Sequence, residues 1–173
     1  LLSALNIAIW DDPILSAKCE SVSPLEFGEE LENLGKRMLI TVGHNDSGIG
    51  LAAPQVGLGK RLFVMKCVNG TEIIAVNPKV FPKGEYKIME EGCLSFPKLY
   101  GPVCRQDECT LAYQEPVDGK EATVELTGLD AHCAQHENDH LDGIMFFHRM
   151  PKHYRKKLLS QWEKMDCPVP VGL

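Results

Sequence analysis

The chain has 173 residues, 44% of them hydrophobic, with a formal net charge of −6 and a pI of about 5.5. That length suits one domain, 1–173, with enough apolar material to bury a core without disulfide staples. The acidic balance speaks against a nonspecific nucleic-acid binder, and no apolar run approaches the roughly 20 residues that span a bilayer.

The start, Leu1-Leu2-Ser3-Ala4-Leu5, is apolar but carries no basic n-region, so no secretory signal is read there. The first residue is not Met, as expected of a processed or trimmed chain, for instance one that has lost an organellar transit peptide. Seven cysteines, Cys19, Cys67, Cys93, Cys104, Cys109, Cys133 and Cys167, are odd in number and contain no C-x-x-C. Reduced thiols in an intracellular compartment are expected, not a disulfide framework.

In chain order, Asp11-Asp12-Pro13 reads as a turn. Ser23-Pro24 opens a helix to about Val42, with Leu25, Leu31, Leu34, Met38, Leu39 and Val42 as its apolar stripe. Arg61 to Val68 and Glu72 to Asn77 read as a hairpin closed by Asn69-Gly70. Cys104 to Glu115 and Glu121 to Leu126 read as a second pair, joined through Pro116-Val117-Asp118-Gly119. Leu129 to Leu141 is a helix stopped near Gly143. A last helix, basic and amphipathic, runs from Pro151 to about Met165, with Tyr154, Leu158, Leu159 and Trp162 on its inner face. The order helix, strands, helices predicts an α+β fold.

His136-Glu137-Asn138-Asp139-His140 is the most informative segment. Histidines at i and i+4 share one helix face, so two imidazoles can reach one metal ion, and Glu137 can take a proton from water there. Taken alone, the motif leaves open a helix that merely carries two hydrogen-bonded histidines. A zinc protease would need a further ligand downstream. His148 is only eight residues past His140 and the G-x-x-H continuation is missing, so that reading is weak. Cys93, between Gly92 and Leu94-Ser95, is expected in a tight turn with a fixed direction, against the alternative of a small buried hydrophobe. One thiolate and two imidazoles leave a divalent metal an open position for water, as catalytic sites do. Gly48 to Gln55 is no phosphate loop. It is either a small-residue connector or a segment in which Gly50 lets backbone approach a ligand while Gln55 offers an amide to an oxyanion.

Together these segments resemble the three signature motifs of peptide deformylases: G-x-G-L-A-A-x-Q at Gly48 to Gln55, E-G-C-L-S at Glu91 to Ser95, and Q-H-E-x-D-H at Gln135 to His140. The resemblance extends from about Ile9 to Met165. It implies an α+β fold of antiparallel strands packed around a central helix that carries the H-E-x-x-H motif. The activity it implies is removal of the formyl group from formyl-methionine at the start of nascent peptides, with release of formate. A related metal-dependent amide hydrolase or peptidase with a changed pocket is the alternative.

By the same resemblance, Cys93, His136 and His140 hold one divalent metal ion, natively Fe(II), with Zn, Ni or Co able to occupy the site. Glu137 is the general base, and Gln55 with the Leu94 N–H holds the oxyanion. Gly50 aligns the peptide as an added strand, and Ile49, Met89, Leu129 and Cys133 line the methionine pocket. Glu91 and Arg105 are expected to pair and stiffen the Cys93 loop. Asp139 is expected to support a ligand imidazole or to cap locally.

The setting is a bacterial cytoplasm or an organelle with bacterial-type translation, a mitochondrion or plastid. The ribosome near its exit tunnel is a partner, for which Lys152, Arg155, Lys156 and Lys157 are the available basic cluster. No nucleic-acid specificity and no membrane are implied. His132, one turn before His136, is expected partly exposed at the pocket rim; the sharper alternative is a polar wall of the pocket itself. Ser16 and Cys19 stand where the family's N-terminal D-P-x-L-R-x-x-A pattern has Arg and Ala, which puts the packing of that segment in doubt. The sequence closes soon after its last helix with Pro168-Val169-Pro170.

Overall fold

A computed structural model describes residues 1–46 and 48–165; Cys167 and Pro168-Val169-Pro170 lie outside the described residues. Five antiparallel strands form one sheet in sequence order: β1 Gly50–Ala52, β2 Leu62–Lys66, β3 Glu72–Cys93, β4 Phe96–Gln114 and β5 Glu121–Thr127. Among the described residues three α-helices accompany it, α1 Glu29–Gly43, α2 Gly128–Leu141 and α3 Lys152–Glu163. The fold is α+β, as the element order predicts.

The strand β2, Leu-Phe-Val-Met-Lys, explains why the sheet has helices on both sides. Its apolar residues are buried on both faces: Leu62 and Val64 join the cluster with Met38, Leu39 and Val42 of α1. Phe63 and Met65 join the cluster with Ala131, Cys133 and Ala134 of α2. A continuous apolar run is what such a doubly covered strand requires. The small side chains of α2 let that helix sit close to the sheet. A third cluster packs α3 and the Phe146–Arg149 turn against the start of β4, where Trp162 stacks on Phe96 at 4.4 Å between ring centroids.

Three expectations are corrected. The first helix starts at Glu29, not at Ser23-Pro24, because Gly28 takes φ +147° and separates it from a short 3-10 turn at Pro24–Glu26. Leu25 is therefore off the stripe and 95% exposed. Acidic Glu29, Glu30 and Glu32 then occupy the first turn, where they complement the helix dipole. Second, the strands read as Glu72–Asn77 and Cys104–Glu115 are the ends of one long hairpin that includes the 78–103 stretch. The outer part of β3, from Phe81 to Ile88, is exposed on both faces, so the alternation of Lys83, Glu85 and Lys87 with Gly84, Tyr86 and Ile88 marks no buried face. Third, Tyr154 is exposed, whereas Leu158, Leu159 and Trp162 pack inward.

The N-terminal segment is firmly packed despite Ser16 and Cys19. Leu15 and Cys19 are buried, and the Cys19 N–H donates to the Leu141 carbonyl at 2.8 Å. Gly143 ends α2 as expected. It takes φ +73°, and a Cβ there would lie 2.5 Å from the Ser16 carbonyl oxygen.

Candidate metal centre

Cys93 is the last residue of β3 and pairs with Phe96 across the two-residue turn Leu94-Ser95. That turn is the tight, directed loop expected. Gly92 has no Cβ because the Tyr100 ring occupies its place. Opposite lies α2, whose polar residues are buried at nearly every position: His132, Gln135, His136, Glu137, Asp139 and His140. Gln135 Nε2 donates to the Gln106 carbonyl of β4 at 2.8 Å, which fixes the helix against the hairpin.

The donor atoms of Cys93, His136 and His140 all lie within 4.8 Å of one another, and Cys93 Sγ is 3.4 Å from His140 Nε2. His136 Nδ1 is 2.8 Å from Glu91 Oε1. With a metal bound, the proton kept on Nδ1 would be held by Glu91 and the lone pair of Nε2 would face the cluster, as in metal-ligating imidazoles. Arg105 holds Glu91 through Nε at 2.7 Å and a second nitrogen at 3.1 Å, and reaches Asp139 at 2.9 Å. Arg149 closes the other side of Asp139 at 2.8 and 3.1 Å. The Glu91–Arg105 pair is present as expected. Asp139 differs from its expectation: it binds two arginines, and the carboxylate on the imidazole is Glu91. Arg149 carries no local sequence signal for this role.

Burial opposes ionisation of Glu91, but its bonds to His136 and Arg105 outweigh burial and hold its pKa down at about 2. Burial likewise opposes protonation of His136, and the Glu137 and Glu91 carboxylates overcome it and raise its pKa well above the usual range. Burial, reinforced by charged His136 and Arg105, pushes His140 well below the usual range. Glu137 is raised to about 7, chiefly by burial. Its Oε1 has no partner among the described residues, nor has His140 Nδ1. Two imidazoles and a thiol converging in a buried cleft, with one imidazole pre-oriented by a carboxylate, fit a divalent transition metal. His148, the alternative downstream histidine, instead accepts from the Met145 N–H at 3.0 Å.

A cavity of about 270 Å3 opens beside this cluster. It is lined by Cys93, His136 and Glu137 and also by Ile49, Met89, Leu129 and Cys133, the residues expected to form a methionine pocket. Gly50 and Gln55 are on its wall as well. The Gly50 backbone comes so close to α2 that a Cβ would lie 2.8 Å from both Glu137 Oε2 and Cys133 Sγ. Its missing side chain therefore serves contact with the helix, in addition to any approach of a ligand. Gln55 Oε1 accepts from the Ala52 N–H at 2.9 Å, which leaves its amide to point at Ser95 Oγ (3.2 Å) and Cys93 Sγ (3.3 Å). His132 is 2% exposed, so it is part of the wall and not a partly exposed rim residue.

A family model described as polypeptide deformylase matches residues 4–156. The peptide deformylase of Thermotoga neapolitana is 38% identical over 93% of this chain and 94% of its own length. The chloroplastic/mitochondrial peptide deformylase 1B of Arabidopsis thaliana is 36% identical over 94% of this chain and 60% of its own length. The crystal structure of the peptide deformylase from Thermus thermophilus superposes with a TM-score of 0.83 at 36% identity, covering 91% of this chain and 92% of that one. Sequence, fold and a Cys/His/His cluster thus agree, and the chain belongs to the polypeptide deformylase family, metal-dependent enzymes that remove the N-formyl group from nascent peptides.

Proposed function

We propose that this chain, as one catalytic domain, hydrolyses the formyl amide of formyl-methionyl peptides at the centre described above. Cys93, His136 and His140 hold one divalent metal ion; the resemblance to the family favours Fe(II), with Zn, Ni or Co as substitutes. The observation that carries the reading is Glu137: a buried carboxylate raised to about 7, with one oxygen unpartnered, on the cavity wall beside the ligand cluster. A carboxyl group so poised can both take and return a proton near neutral pH.

A cation held by Cys93, His136 and His140 would supply Lewis acidity there, acidifying water and polarising the formyl oxygen. Glu137 takes the proton of the attacking water and passes it to the leaving amine. The Gln55 amide and the Leu94 N–H donate to the oxygen that gains negative charge on the formyl carbon. Pre-organisation supports Gln55 in this: its own oxygen is already held by Ala52.

Among the described residues the edge strand β1 pairs only with β2, and its other edge, at Gly50 beside the cavity, is where a peptide adds as a strand. Ile49, Met89, Leu129 and Cys133 enclose the methionine side chain. No described helix is long and apolar enough to cross a membrane. Relatives include bacterial and chloroplastic/mitochondrial proteins, which supports a compartment with formyl-methionine translation. The exposed Lys152, Lys156 and Lys157 of α3 are the surface for ribosome docking.

The test is formate release from a formyl-Met tripeptide by anaerobically purified, Fe(II)-loaded protein, beside Glu137→Gln. The expected result is a fall of about 10²–10⁴-fold in kcat with metal still bound. No release by folded, metal-loaded wild type would overturn the reading.

A further inference from the structure

Of the three buried histidines, His132 alone is not among the clustered donor atoms. It lies one turn before His136 on α2 and lines the cavity. His132 Nε2 is 3.2 Å from Asp107 Oδ1, and the other Asp107 oxygen accepts from Lys87 Nζ at 2.7 Å. The hydrogen bond from Lys87 holds the Asp107 carboxyl below the usual carboxylate range, so Asp107 faces the ring as an acceptor. Asp107 and Lys87 are not among the lining residues, so the Nε2 edge is turned away from the cavity and clamped there. His132 Nδ1 has no hydrogen-bond partner among the described residues. The same wall carries Met89 and Cys133, two further polarisable groups.

We infer that His132 is a specificity-determining residue, whose clamped ring meets the substrate's thioether and favours methionine over an all-hydrocarbon side chain of the same shape. This rests on the deformylase reading above. A thioether sulfur is polarisable and makes favourable contacts at aromatic ring edges, whereas a methylene in the same place offers dispersion alone. Neither side chain brings a donor to Nδ1, so the cost of that unpartnered nitrogen is common to both and cancels in the comparison. Asp107 acts as a positioning residue: without it the ring is free to turn and the contact is lost for part of the time.

The experiment measures kcat/KM for two tripeptides that differ only in formyl-Met against formyl-norleucine, with Fe(II)-loaded wild type, His132→Leu and Asp107→Ala. Leucine fills the site without a polar atom, so His132→Leu is expected to fold, and its turnover of the norleucine peptide verifies that. The Met-to-norleucine ratio is expected to fall about two- to tenfold in His132→Leu, carried by KM. Asp107→Ala is expected to fall between the two. An unchanged ratio in His132→Leu overturns the inference while leaving deformylation intact, and a full ratio in Asp107→Ala overturns the part given to Asp107. Release of formate from neither peptide by wild type overturns the deformylase reading itself.

Discussion

Two groups of buried polar atoms meet along α2, and they are treated in opposite ways. At the foot of the β3–β4 hairpin, both oxygens of Glu91 and of Asp139 and all three nitrogens of Arg105 have partners. Around the ligand cluster and the cavity beside it, Glu137 Oε1, His140 Nδ1 and His132 Nδ1 have none among the described residues. An unpartnered buried polar atom costs about 1–3 kcal/mol. The first group is a frame that holds His136 in one orientation. The second group borders the ligand cluster and the cavity, a departure from good folding chemistry of the kind found at functional sites.

The comparison breaks most directly at Glu91. Glu91→Ala leaves the His136 Nδ1–H and two Arg105 nitrogens without their acceptor. Metal affinity should fall about 10–100-fold and stability by about 3–5 kcal/mol, read by metal titration and by urea unfolding. Unchanged affinity would show that the frame does not hold the ligand.

The pH dependence of the metal-free protein sharpens the contrast, because the two carboxyls have opposite signs. Glu91 is depressed from 4.5 to about 2, so its stabilisation is present above pH 4.5 and is lost as the pH falls through 2. Glu137 is raised from 4.5 to about 7, so stability is full below pH 4.5 and declines as the pH rises through 7. At about 1.4 kcal/mol per unit, the decline is on the order of 3 kcal/mol. Metal-free Glu137→Gln should therefore be more stable than wild type at pH 8 and comparable at pH 4 in thermal melts. A wild-type advantage at pH 8 would contradict the raised value.

Gly50→Ala pushes a methyl group against Glu137 and Cys133 from the sheet side. Expected are a loss of about 1–3 kcal/mol and a fall in kcat with metal content retained, checked by denaturation and metal analysis of one preparation. The smallest effect belongs far from both groups: Leu25→Ser, at an exposed position, should stay within about 0.5 kcal/mol of wild type in urea unfolding.

By itself the sequence determined the elements whose residues repeat at a local period: most of α1, the strand β2, α2 with its two histidines, and the tight turn after Cys93. It also placed Ile49, Gly50, Gln55, Met89, Leu129 and Cys133 at one cavity, but through resemblance to a family and not through spacing. Tertiary structure alone decided the partners of the charged residues. Asp139 stands beside His140 in sequence, whereas Glu91 is 45 residues from His136. Which of them bonds to His136, and that Arg105 bridges the two while Arg149 caps Asp139, depends on how β3, β4 and α2 are brought together. The same holds for His132, to which β4 brings Asp107, and for the outer stretch of β3, which pairs with β4 through backbone while its own side chains on both faces meet water. Periodicity records which face of one element is apolar. It carries no information about which polar groups of different elements will meet, because that is set by the packing of the whole chain.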